Sequence, residues 1–107
     1  MLTENKYQQH LKQEIESMFP GCIILKNDPN YLQGIPDLQI NYKGKTAWLE
    51  VKKSEDAPHR PNQDHYVKTF SDWGVFSAFI YPENEKEILD GLQQSLEPRR
   101  KARLSKR

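Results

Sequence analysis

A chain of 107 residues, 36% hydrophobic and 29% charged, has material for one soluble domain of a sheet and a few helices. No apolar run approaches the roughly 20 residues of a bilayer span, and a single cysteine, Cys22, excludes an internal disulfide. The net charge of +1 is unevenly placed: residues 99–107 hold six of the sixteen basic residues and no acid, so residues 1–98 set ten basic against fifteen acidic side chains.

That asymmetry divides the chain into a domain over 1–98 and a basic tail over 99–107. Arg99, Arg100, Lys101 and Arg103 of the tail suit phosphates. The opening Met1-Leu2-Thr3-Glu4-Asn5-Lys6 lacks the basic-then-apolar order of a signal peptide. A reducing cytoplasm is the expected compartment.

Tyr7, Leu11, Ile15, Met18 and Phe19 recur at helical spacing and predict an amphipathic helix from Asn5 to Phe19. Thr3 is its expected N-cap and Pro20-Gly21 its stop. Residues 22–26 form a short apolar run that reads as a strand, with Cys22 packed inward. Asn27-Asp28-Pro29-Asn30 is turn chemistry. From Asp37 to Asn41 the chain alternates, with Leu38 and Ile40 on one face. From Thr46 to Lys52 it alternates again, with Ala47, Leu49 and Val51 on one face and Trp48, Glu50 and Lys52 on the other. Tyr42-Lys43-Gly44-Lys45 joins the two runs as a tight turn, which makes a hairpin.

Residues 53–61 read as a loop. Pro61 is suited to open a second helix running to about Ser71, with Tyr66, Val67 and Phe70 inward. Val75 to Tyr81 predicts a strand covered on both faces, and Trp73 is expected in the core. Asn84-x-x-Glu87 resembles a capping box. Ile88, Leu92 and Leu96 then mark a third helix that Pro98 ends. The expected class is α/β, in the order α-β-β-β-α-β-α, with a small mixed sheet flanked by helices.

The chemistry concentrates at Asp37, Glu50 and Lys52. Residues i and i+2 of a strand share a face, so Glu50 and Lys52 project together. Paired across the hairpin, Asp37 comes within reach of Glu50. Two carboxylates repel unless a divalent cation joins them. Magnesium takes hard oxygen ligands, keeps several waters and accepts phosphate oxygens. The backbone carbonyl of Val51 is a natural further ligand. The Lys52 ammonium cannot bind the metal, but it can stabilise developing negative charge on a phosphate. These are the parts of a metal-dependent phosphodiester hydrolase. Other phosphate-contact candidates are Lys26, Lys53 and Arg60. Tyr31 is a candidate to stack on a base. His10, His59 and His65, without cysteine partners, do not make a zinc site.

Gly34-Ile35-Pro36-Asp37 together with Leu49-Glu50-Val51-Lys52 resembles the PD-(D/E)xK nuclease superfamily, over about residues 3–96. Within it, the chain is similar to small phage VRR-NUC-like endonucleases and to archaeal-type Holliday-junction resolvases. The resemblance implies a restriction-endonuclease-like core, DNA hydrolysis with Mg2+ (Mn2+ substituting), a 5′-phosphate product and a homodimer. For a phage protein the compartment would be the host cytoplasm. It also implies a first-helix glutamate at the metal, which Glu4 matches better than Glu14, and a second-helix glutamine, which Gln63 matches. Branched DNA is the implied substrate form. RNA cleavage, or a non-catalytic nucleic-acid-binding role, are the alternatives.

Overall fold

The computed structural model of the protein describes residues 3–98. Its elements are α1 (Glu4–Met18), β1 (Ile23–Lys26), β2 (Leu38–Tyr42), β3 (Lys45–Val51), α2 (Pro61–Asp72), β4 (Phe76–Ile80) and α3 (Glu85–Leu96). The order α-β-β-β-α-β-α is the one the sequence predicts. Thr3 caps α1 as expected, its side chain accepting from Lys6 N at 3.1 Å.

The sheet runs β1-β2-β3-β4. β1, β2 and β3 are antiparallel neighbours, while β4 lies parallel to β3. A parallel neighbour needs a crossover, and α2 provides it. Lys43 and Gly44 have φ of 50° and 81°. Positive φ at both central residues is the turn that matches strand twist, and it fixes Tyr42 opposite Lys45. That register sends Leu38, Ile40, Tyr42, Ala47, Leu49 and Val51 into the core. There they join Tyr7, Leu11, Ile15 and Phe19 of the first helical segment and Leu89, Leu92 and Leu96 of α3. The Tyr7 hydroxyl donates to Glu85 Oε1 at 2.9 Å, tying α1 to the start of α3. Burial, and then this bond, push the Tyr7 pKa up.

Four expectations need correction. Tyr66, Val67 and Phe70 are half-buried, and α2 buries no residue fully, because it lies over the sheet margin at β3 and β4. Trp73 is 70% exposed, since it is the C-cap of that helix and projects past it. β4 is an edge strand, so only Ile80 within it is buried. Asn84 does not cap α3 with its side chain. A 3-10 turn at Pro82–Asn84 intervenes, and the amide turns back to accept from Tyr81 N and donate to Phe79 O. Cys22 is half-buried against the core.

Gly34 joins the loop before β2 to α2. Its φ is +89°, and an added Cβ would land on Asn62 Cβ. Gly44 has positive φ with open space around it. Gly44→Ala should therefore cost about 1 kcal/mol, while Gly34→Ala should cost roughly 2–4 kcal/mol because steric overlap adds to backbone strain. Denaturant midpoints of the two variants measure the difference; equal destabilisation would mean that Gly34 does not hold the loop against α2.

Candidate active site

The hairpin register delivers the site. Leu38 pairs with Leu49, so the next step along the two strands sets Asp37 against Glu50. Asp37 lies just outside β2, and its Oδ2 accepts from Val51 N at 2.9 Å. This bond continues the pairing where the ladder ends. Its other oxygen has no donor among the described residues. Asn27 anchors the same corner, donating from Nδ2 to Pro36 O and from its backbone to Asp37 O, both at 2.8 Å.

Glu50 of β3 and Lys52, one residue past its end, project on the face away from Leu49 and Val51. They are 3% and 7% exposed, unusual burial for charged side chains. Gln63 connects them. Its Nε2 donates to Glu50 Oε2 at 2.9 Å, and its Oε1 accepts from Lys52 Nζ at 2.8 Å. The same Oε1 accepts from Arg60 N at 3.0 Å, the return half of a capping box at the start of α2. These partners fix the amide's orientation: reversed, it would face a carboxylate with its oxygen and an ammonium with its NH2 group. Lys52 Nζ also donates to Pro58 O at 3.0 Å and lies 3.9 Å from Glu50 Oε2.

Glu50 Oε1 is buried without a hydrogen-bond partner. Burial first, and then the Asp37 charge, push the Glu50 pKa up from 4.5 to about 8, against the opposing pull of Lys52. Asp37 and Glu50 line one cavity of about 460 Å³. A divalent cation there would give Oε1 a partner and relieve the repulsion between the carboxylates. Among the described residues no three His, Cys, Asp or Glu side chains converge on one ion. Asp37 and Glu50 are hard oxygen donors, the kind that a divalent cation such as magnesium would take.

Glu4 is exposed in the first turn of α1. Its charge reaches Glu50 and raises that pKa further, but it does not join Asp37 and Glu50 in a three-acid cluster. Glu14 is exposed farther along α1. Arg60 lines the cavity. Lys53 is exposed just past the site, and Lys26 is exposed on β1 opposite Leu38. Arg99, Arg100, Lys101 and Arg103 lie outside the described residues. Tyr31 stands 89% exposed on the loop before β2. The ring of His59 stacks on Phe79 with centroids 3.9 Å apart, and its Nδ1 lies 3.1 Å from Asp64 Oδ1. Sequence reasoning missed Pro58, whose contribution is a main-chain carbonyl. It also missed the cavity wall formed by Asn30, Gln33 and Asn62.

No protein-family model matches the chain, and no curated protein matches it. Among solved structures, a VRR_NUC domain matches with a TM-score of 0.65 at 24% identity, over 84% of this chain and 94% of that domain. The chain shares the fold of that domain, an α/β fold with a four-stranded mixed sheet flanked by helices. Among the described residues no helix is long and apolar enough to cross a membrane.

The raised Glu50 pKa sets a pH dependence. Between 4.5 and about 8 the metal-free folded state holds a proton that the unfolded chain has released. The stability this confers is complete below about 4.5 and is lost as pH rises through about 8. In EDTA, Glu50→Gln should therefore gain on the wild type as pH rises from 5 to 9 in thermal unfolding. A gap that stays constant with pH would contradict a buried, proton-holding Glu50.

Proposed function

We propose that this protein is a metal-dependent endodeoxyribonuclease that hydrolyses DNA phosphodiesters at the Asp37, Glu50 and Lys52 site. The observation that carries this is the buried, unpartnered Oε1 of Glu50, a residue that lines the same cavity as Asp37 and has Lys52 alongside. The VRR_NUC fold supports it. Asp37, Glu50 and the Val51 carbonyl would hold Mg2+, with Mn2+ as a substitute. The bound ion would supply Lewis acidity toward a phosphoryl oxygen and make water easier to deprotonate.

The chain's own residues do the rest. Gln63 and the Pro58 carbonyl occupy two of the three Lys52 ammonium protons, leaving the third for the phosphate. Held in place, Lys52 stabilises the charge that builds on phosphorus-bound oxygens without reorganising. Water adds to phosphorus as the bond to the 3′-oxygen breaks. One proton of the water passes to solvent, the leaving 3′-oxygen takes one up, and the ends are a 5′-phosphate and a 3′-hydroxyl. Glu4 would add negative potential near the ion.

Lys26, Lys53, Arg60 and the tail residues Arg99, Arg100, Lys101 and Arg103 are the proposed phosphate contacts. The resemblance to small phage VRR-NUC-like endonucleases and Holliday-junction resolvases extends the proposal to branched DNA, a homodimer and the cytoplasm. The exposed edge of β1, carrying Ile23 and Leu25, is compatible with pairing to a second copy.

Purified protein incubated with plasmid, branched DNA and RNA should cut DNA with magnesium or manganese and not with EDTA. Asp37→Asn and Lys52→Ala should each reduce cleavage on the order of 100-fold or more. Cleavage that survives both substitutions would place the chemistry elsewhere. Cleavage of RNA alone would change the substrate, and inactivity on every substrate would favour a binding protein. Removing residues 99–107 should weaken DNA binding and flatten its salt dependence, by up to about 0.9 in log–log slope for each phosphate that the tail neutralises. An unaltered slope would exclude the tail from the interface.

A further inference from the structure

The cavity extends beyond the two carboxylates, and its outer wall has a different chemistry. Besides Gln63, three amides line the cavity: Asn30 and Gln33 from the loop before β2, and Asn62 from the first turn of α2. None of their side chains has a hydrogen-bond partner among the described residues. All three are exposed, so their amides are open to whatever enters the cavity, whereas the half-buried amides outside α1 and α3 are already paired. Asn27, Gln39, Asn41, Gln63 and Asn84 all have side-chain hydrogen bonds.

Each free amide offers a donor and an acceptor together. A phosphate only accepts, so it would leave the amide carbonyls unused. A nucleobase edge presents both kinds of group. Pro29 and Ile35 supply apolar surface beside the amides. At about 460 Å³ the cavity falls within the roughly 300–1,000 Å³ range of single-ligand sites. A base stacked inside an intact duplex would not reach this wall, so a base that occupies it has to leave the stack. The wall is also built to hold its shape. Gly34 lets the loop backbone close onto Asn62, Asn30 N donates to Asp28 Oδ1 at 2.8 Å, and Tyr31 N donates to Asp28 O at 3.1 Å. Tyr31, on the same loop, leaves its ring open to a neighbouring base.

We infer that the Asn30, Gln33 and Asn62 wall receives one unpaired nucleobase next to the phosphate held at Asp37 and Glu50. Resting on the nuclease reading, this names the substrate class: DNA with an unpaired nucleotide at the cutting position, not continuous duplex. Arg60, on the cavity rim, would meet the phosphate of the same nucleotide.

The test compares three labelled oligonucleotides: a perfect duplex, the same duplex with a one-nucleotide bulge, and that bulge with an abasic residue in place of the base. Binding is measured by fluorescence anisotropy with the full chain, as wild type in EDTA and as Lys52→Ala in magnesium. Cleavage is scored separately with wild type in magnesium. The base-containing bulge should bind best, and removal of its base should weaken binding about tenfold, the effect expected of one stacked and hydrogen-bonded base. Asn62→Ala keeps the Cβ that packs on Gly34, and it should bring the two bulges close together. Asn30→Ala should do the same and serves if Asn62→Ala does not fold. Equal binding of the base-containing and abasic bulges by the unsubstituted pocket overturns the inference, whether or not DNA is cut. Failure to cut any substrate overturns the hydrolytic reading, while the base-to-abasic gap still decides the pocket.

Discussion

A single amide, that of Gln63, holds a buried acid and a buried ammonium in place, and much of the molecule's architecture serves that contact. Burying a carboxylate beside a second acid is costly, and the Lys52 ammonium at 3.9 Å offsets only part of the cost. Gln63 satisfies one oxygen of Glu50 and one proton of Lys52, leaving Glu50 Oε1 with nothing. Two apolar side chains of similar size would pack at lower cost. Retaining an unsatisfied acid in this position gives up stability for a group that a cation from outside would partner.

The same contact docks a helix. α2 has no fully buried residue, so little hydrophobic surface fixes it to the sheet. It is fastened at both ends by other means. At the start, Gln63 reaches β3 and the preceding His59 ring stacks on Phe79 of β4. Toward the finish, Phe70 stacks on Trp48 of β3 with centroids 4.4 Å apart and planes 4° from parallel. Docking of the crossover helix and assembly of the site are therefore coupled. A ligand that steadies Glu50 steadies α2, and loosening of α2 releases Lys52. A thinly packed element tied to a polar site belongs to the low-stability part of a fold, where opening is easiest.

Much of this was legible along the chain because it rests on local periodicity. Alternation around a Lys-Gly turn gives the register, and register alone sets Asp37 against Glu50 and aligns Glu50 with Lys52. Gln63 required more: its place three residues into a helix that Pro61 opens, and the resemblance to a nuclease superfamily. What escaped is non-local. The Pro58 carbonyl has no side-chain signature. Trp73 is as apolar as a core residue, and only the end of α2 leaves it exposed. Asn84 has the composition of a cap but is recruited backward by the turn at Pro82. The cavity wall exists because Gly34 approaches Asn62, a contact across 28 positions that no window of sequence contains.

The distribution of charge bears on how such a site would choose a substrate. The ionisable groups lining the cavity are two acids, Asp37 and Glu50, against one cation, Arg60, so the interior offers a polyanion no net attraction without a metal. Long-range attraction falls instead to basic groups outside it, which act on any nucleic acid and weaken with salt. The amides inside carry no net charge and act only at contact distance. Affinity and selection are then assigned to different residues. On the proposed reading, charge on the strand's backbone would deliver it, a bound ion would let a phosphate approach two acids, and neutral donors and acceptors would test what lies beside it. Adding lysines to the wall would strengthen binding to every strand alike and erase the distinction that the neutral amides make.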